Sequence, residues 1–155
     1  MGDIIDIPGA TLTNVDLMYY AKKLGINNLR GIFMRDCLPK TKTSPECGIM
    51  NFNESTQVGT HWVCWVIKQN GQRFYFDSYG QNVPEELMKY LKSSQEYKND
   101  IPVVRRNALV IQRLNTTECG RLCLFVIRCM QNKDCSFDGI LQLLKQRYDR
   151  DKGQQ

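Results

Sequence analysis

The stretch from His61 to Gly80 constrains the fold of this chain more than any other. THWVCWVIK (60–68) is dense in aromatic and β-branched residues, which suit a pleated, packed surface. Asn70-Gly71 follows, a pair that accepts positive φ in a tight turn. RFYFDSYG (73–80) then returns as the partner strand. A hairpin brings the start of its first strand near the end of its second, so His61 and Asp77 fall at the same end. Register decides whether they meet. A strict two-residue loop at Asn70-Gly71 pairs residues whose numbers sum to 141. Asp77 then faces Cys64, on the wrong side of the pleat for His61. Contact between His61 and Asp77 therefore requires a longer loop or a bulge, or strands that have already left the sheet.

The other elements are read from caps and periodicity. Thr13 or Asn14 caps a first helix, with Val15, Met18 and Tyr19 on one face, Leu17 and Tyr20 beside it, and Gly25 at the left-handed position beyond its end. GIFMRDCLPK (31–40) is a short extended piece stopped by Pro39, and Gly48 to Phe52 a short strand. Pro84-Glu85-Glu86 opens a second helix, with Leu87, Met88 and Leu91 as its apolar stripe. Residues 107–114 (NALVIQRL) read as a strand. A third helix runs from about Cys119 to Met130, and Ser136 caps a fourth carrying Ile140, Leu141, Leu143 and Leu144. These elements predict an α+β fold: residues 1–155 as a single domain, with a small mixed or antiparallel sheet flanked by helices.

Composition enters through one ratio: seven cysteines against one histidine. One His cannot build a two-His zinc site. The start, MGDIIDIPGA, has no basic region followed by an apolar core, and no apolar run approaches a membrane span. The expectation is an intracellular, reducing setting with mostly free thiols. Cys119, Cys123, Cys129 and Cys135 lack the two-residue gap of common zinc knuckles, so no metal site is expected. The formal charge of +5 is mild and its basic residues are scattered, as on an ordinary solvated surface.

Three positions then stand out beside His61. Asp77 can accept from the imidazole and orient it. Cys119, in TTECGRLC, stands where a loop gives way to an apolar helix. Its thiolate would face the unpaired N–H groups and positive dipole end of that helix. Gly120 beside it has no side chain to keep an oxyanion away. Gln112, seven residues earlier, carries an amide able to donate to an oxyanion. Each residue taken alone has a plainer reading: a surface His, a turn Asp, a core Cys, an exposed strand Gln. Cys123 and Cys129 lie inside the apolar stripe and read as packing.

Taken together and in order, GTHW, FDSYG, Gln112 and ECGRLC resemble the adenovirus-type maturation proteases and, more distantly, the proteases that process ubiquitin-like proteins. The acid 16 residues after His61 and the Gln seven before Cys-Gly are the specific parts, and the likeness extends over LTNVDLMYYAKKLGI, GIFMRDCLP and CGIMNFNESTQVGTHW. The resemblance implies a cysteine endopeptidase. Cys119 would be the nucleophile, His61 the general base, Asp77 its orienter, and Gln112 with the Cys119 N–H the oxyanion hole. Gly59, Thr60 and Trp62 would border the substrate cleft. It further implies Gly-containing cleavage sites in viral precursor proteins, and the host nucleus and virion as locations. Viral DNA or an activating peptide would be partners. No Cys lies between Cys64 and Cys119 to hold such a peptide by a disulfide, so a non-covalent activator is expected. The same clan contains ubiquitin-like-protein deconjugases, the alternative. A non-enzymatic, basic nucleic-acid-binding module is a further one.

Overall fold

The computed structural model describes residues 7–53, 61–93, 103–114 and 116–153. In chain order the elements are α1 (Asn14–Lys23), β1 (Leu29–Met34), β2 (Glu46–Asn51), β3 (Trp62–Ile67), β4 (Arg73–Phe76), α2 (Glu85–Lys92), β5 (Val104–Arg106), α3 (Cys119–Met130) and α4 (Phe137–Gly153). The five strands form one sheet in sequence order. The β2–β3–β4 centre is antiparallel, while β1 and β5 join its edges in parallel. The expected α+β class and mixed sheet are what the chain adopts.

Both faces of the sheet are covered. Every residue of β2, β3 and β4 is buried, which is why these strands read as near-continuous apolar runs and not as a simple alternation. On one face Cys47, Ile49, Cys64, Val66, Phe74 and Phe76 pack against α3 and α4. On the other, Val63, Trp65, Ile67 and Tyr75 pack against Leu87, Tyr90 and Leu91 of α2. Trp65 needs the space above Gly48, where a Cβ would lie 2.2 Å from the indole. Its N–H donates to Glu46 Oε2 at 2.7 Å, as does the Tyr90 hydroxyl. Glu46 is a buried carboxylate, and Arg30 Nη1 balances its charge at 3.3 Å.

The hairpin turn closes differently from the strict two-residue form. Lys68 N–H donates to Gln72 O and Gly71 N–H to Lys68 O, both at 2.9 Å. The loop is thus Gln69-Asn70-Gly71, with Gly71 at φ 89°. Cys64 pairs with Phe76 and Trp65 with Tyr75, so the numbers sum to 140. That one-residue change gives His61 and Asp77 the same parity. They also stand just outside β3 and β4, so both conditions set by the sequence are met.

The helix caps follow expectation. Thr13 and Asp16 form a reciprocal capping box, Gly25 has φ 70°, and Ser136 Oγ accepts from Gly139 N–H at 3.0 Å. Two readings are corrected. In α1 the buried side chains are Leu17 and Ala21, while Val15, Met18 and Tyr19 are exposed. The packed face meets α3 through Leu17: a Cβ on Gly120 would lie 3.3 Å from Leu12 and Leu17. The strand expected at 107–114 is absent, and the pairing strand is β5, just before it. Residues 107–114 are instead pinned to the β4 exit, with Ile111 and Gln112 N–H both donating to Ser78 O. No helix among the described residues is long and apolar enough to cross a membrane.

Candidate active site

The site forms at the end of the sheet where β3 begins, β4 ends and α3 starts. His61 precedes β3, and its carbonyl accepts from Phe52 N–H at 2.7 Å. Asp77 follows β4 and is fully buried. His61 Nε2 lies 2.8 Å from Asp77 Oδ1. Asp77 Oδ1 also accepts from Tyr79 N–H at 2.8 Å, which fixes the carboxylate by a local turn. Its main chain is held by Asn107, whose Oδ1 accepts from Asp77 N–H at 3.0 Å and whose Nδ2 donates to Asp77 O at 2.6 Å. The imidazole lies between Tyr79 and Phe52, at centroid distances of 4.7 and 5.8 Å.

Cys119 is the first residue of α3 and only 6% exposed. Trp62 N–H points to its sulfur at 3.5 Å, a contact that favours negative charge on the sulfur. Glu118 immediately before it does not cap the helix with its side chain. Its carboxylate turns to Arg121 and to Arg147 of α4. Burial pushes the Glu118 carboxyl up, but the two guanidiniums outweigh that and hold it below its ordinary value. They also offset a charge that would otherwise repel a thiolate one residue away.

The His61 pKa is set by opposing influences. Burial is the largest and pushes it down. Hydrogen bonding to Asp77 and Cys119, with the negative charge of both, overcomes this and raises it from 6.5 to about 9. Nδ1, the nitrogen not used by Asp77, is also buried.

Gln112 is buried. Its Oε1 accepts from Ser78 Oγ at 2.5 Å, and its Nε2 donates to Thr116 O at 3.0 Å and Thr116 Oγ1 at 2.8 Å. It therefore bridges the residue after Asp77 and the segment leading into Cys119. Trp62 is turned into the core: its indole N–H donates to Leu12 O at 2.8 Å, and its carbonyl accepts from Cys123 Sγ at 3.4 Å. Gly59 and Thr60 lie outside the described residues. The missing side chain of Gly120 is accounted for by its packing on Leu12 and Leu17.

The remaining thiols have different settings. Burial pushes Cys47 up to about 12 and raises Cys123 well above its usual value, with neighbouring thiols adding to both. Cys129 is buried and Cys37 exposed. Among the described residues no group of three His, Cys, Asp or Glu side chains is placed to hold a metal. The contributions of Tyr79, Phe52, Ser78, Asn107 and Thr116 were not evident from sequence. Only the adjacency of Ser78 and Tyr79 to Asp77 hinted at them.

A thiol, an imidazole and a carboxylate in chain at the start of a helix are the parts of a thiol-based acyl-transfer site. Comparison with known families agrees with that class. Residues 40–139 match the Ulp1 protease family, C-terminal catalytic domain. The chain belongs to this family. Among solved structures it is similar to the ASFV pS273R protease, with TM-score 0.59, 19% identity, and coverage of 86% of this chain and 62% of that one. A selenomethionine crystal form of the same protease gives TM-score 0.56 and 18% identity, with the same coverage. At these identities the likeness is one of fold, and the chain spans about three fifths of that protease's length. No curated protein gives a significant match.

Proposed function

We propose that the chain is an endopeptidase in which Cys119 is the nucleophile, His61 the general base and acid, Asp77 its orienter, and Gln112 the side-chain donor of the oxyanion hole. The observation that carries this reading is the 2.8 Å bond from His61 Nε2 to buried Asp77 Oδ1, made beside a cysteine that opens a helix. With Nε2 engaged, Nδ1 is the nitrogen left for proton exchange with Cys119 and the leaving group. Cys119 sulfur bonds to the scissile carbonyl carbon, and the carbonyl electron pair moves onto oxygen. The Gln112 amide and the Cys119 N–H stabilise that oxyanion. As it collapses, the C–N bond breaks and the amine leaves with the proton from His61. Water, deprotonated by His61, then adds to the thioester, and collapse of the second intermediate restores the thiol.

The proposed substrates are viral precursor proteins cut at Gly-containing sites. Gly59 and Thr60 are proposed, by the same resemblance, as substrate-binding residues for an extended peptide that pairs through its main chain. Trp62 contributes its N–H and its anchoring of Leu12 to the cleft wall. Viral DNA and a non-covalent activator peptide are proposed partners by the same resemblance. A second reading, a ubiquitin-like-protein deconjugase, is favoured by the family matched over residues 40–139.

A peptide vinyl sulfone ending in Gly, followed by mass spectrometry, tests the nucleophile. The adduct is expected on Cys119 and absent from Cys47 and Cys123. Cys119→Ala is expected to abolish cleavage of a Gly-containing peptide while the far-UV circular dichroism stays unchanged. Full activity in that variant rules the reading out. Turnover of a ubiquitin-like C-terminal substrate with none on a Gly-containing precursor peptide selects the second reading.

A further inference from the structure

The side-chain amide of Gln112 could in principle face either way, since its oxygen and nitrogen have nearly the same shape. Its surroundings settle the matter through a chain of hydrogen bonds anchored on a main-chain carbonyl. Arg113 O can only accept, so the Thr116 hydroxyl spends its single hydrogen there, at 2.7 Å. Thr116 Oγ1 must then accept from Gln112 at 2.8 Å, which requires the NH₂ group on that side. The amide oxygen is left facing Ser78 Oγ at 2.5 Å, and the serine hydroxyl must donate to it. The Ser78 main chain is tied to the same loop, because Ser78 O accepts from Ile111 and Gln112 N–H. Ser78 and Gln112 are both buried, so water does not cheaply replace the hydrogen bond between them.

We infer that Ser78 and Thr116 are positioning residues that fix the polarity of the Gln112 amide, turning its N–H groups toward the segment that enters Cys119. The inference rests on the oxyanion role proposed for Gln112. The reversed amide would present a lone pair to the developing negative charge and repel it. Nε2 carries two hydrogens, and Thr116 offers it two acceptors. As the oxyanion forms, the contact to Thr116 O is exchanged for it, while the contact to Thr116 Oγ1 holds the amide in place. Ser78 adjoins Asp77, so one short turn serves both the orienter of the base and the donor to the oxyanion.

The test compares Gln112→Ala, Ser78→Ala, Thr116→Val, Thr116→Ser and the Ser78→Ala/Gln112→Ala pair. Each is measured for peptide turnover and for alkylation of Cys119 by iodoacetamide, a displacement that forms no oxyanion. Gln112→Ala is expected to lower kcat by about 10²–10³-fold, the cost of one such donor. Ser78→Ala and Thr116→Val are expected to lower kcat by roughly tenfold or more with KM unchanged, through a share of reversed amide. Thr116→Ser, which keeps the hydroxyl, restores turnover. Alkylation of Cys119 keeps the wild-type rate throughout, and the double variant is no worse than Gln112→Ala alone. Wild-type kcat in Ser78→Ala or Thr116→Val, with Gln112→Ala impaired, overturns the inference. So does a parallel loss of alkylation, which marks a merely structural role. Full activity in Gln112→Ala removes the oxyanion assignment itself, and this inference with it. If Ser78→Ala does not fold, the Thr116 pair decides.

Discussion

At the scale of single residues, His61 keeps its proton against burial. The ring is mostly enclosed, and burial alone would lower its pKa. Asp77 and Cys119 reverse that and hold it at about 9. The folded value lies above the ordinary 6.5, so the stabilising contribution is complete below about pH 6.5 and is lost as pH rises through about 9. Activity that depends on the imidazolium falls in the same upper window. Asp77→Asn removes the charge while keeping the shape. The expected result is an alkaline limb of kcat/KM displaced to lower pH, with a loss of about 10²–10⁴-fold at neutral pH, read from a pH–rate profile. An unchanged alkaline limb would show that Asp77 does not set the His61 proton affinity. His61, Asp77, Gln112 and Cys119 could be picked out from residue type, order and local pattern. The groups that hold them could not. Asn107 grips Asp77 from 30 residues away and Ser78 grips Gln112 across 34, and neither contact leaves a periodic mark on the sequence.

At the scale of elements, the hairpin shows what residue types convey and what they do not. Aromatic and β-branched runs around Asn-Gly announce two strands and a turn. They do not distinguish a two-residue from a three-residue loop, and that choice decides the parity of His61 and Asp77. The strand expected over 107–114 failed for a related reason. Its main chain is tied to Ser78 through Ile111 and Gln112 N–H, Leu109, Val110 and Leu114 stay exposed, and the sheet edge is completed by Val104, Arg105 and Arg106. Glycines at element ends give a direct test of local geometry. Gly25 and Gly80 both have positive φ, at 70° and 67°. Gly25 has open space around it, whereas a Cβ on Gly80 would lie 2.6 Å from Ala108 O. Gly25→Ala is expected to cost about 1–2 kcal/mol from backbone conformation alone. Gly80→Ala should add roughly 1–3 kcal/mol from overpacking. Urea unfolding at constant m-value separates them, and equal midpoints would show that the Ala108 contact yields freely.

At the scale of the whole molecule, the sheet separates two cores. Leu122 belongs to the α3 side and Leu87 to the α2 side, and both are fully buried. Leu122→Ala and Leu87→Ala are each expected to cost about 2–5 kcal/mol. Because the two cavities share no lining, the double variant should equal the sum within about 0.5 kcal/mol. A larger departure in chemical denaturation would mean that strain crosses the sheet. Overall class was legible because turn signals, caps and apolar runs agreed with one another. The partition into two cores was not, since fully buried strands lose the alternation that would assign each residue a face. The C-terminal helix also reaches back to the site. Arg147 holds Glu118, beside Cys119, and Arg113, next to Gln112, donates to Asp151 O at 3.4 Å. Among the described elements α4 leaves the ribosome last. Cys119 and the residues around it are therefore translated before α4, and the contacts that brace them from that helix form only once it has emerged.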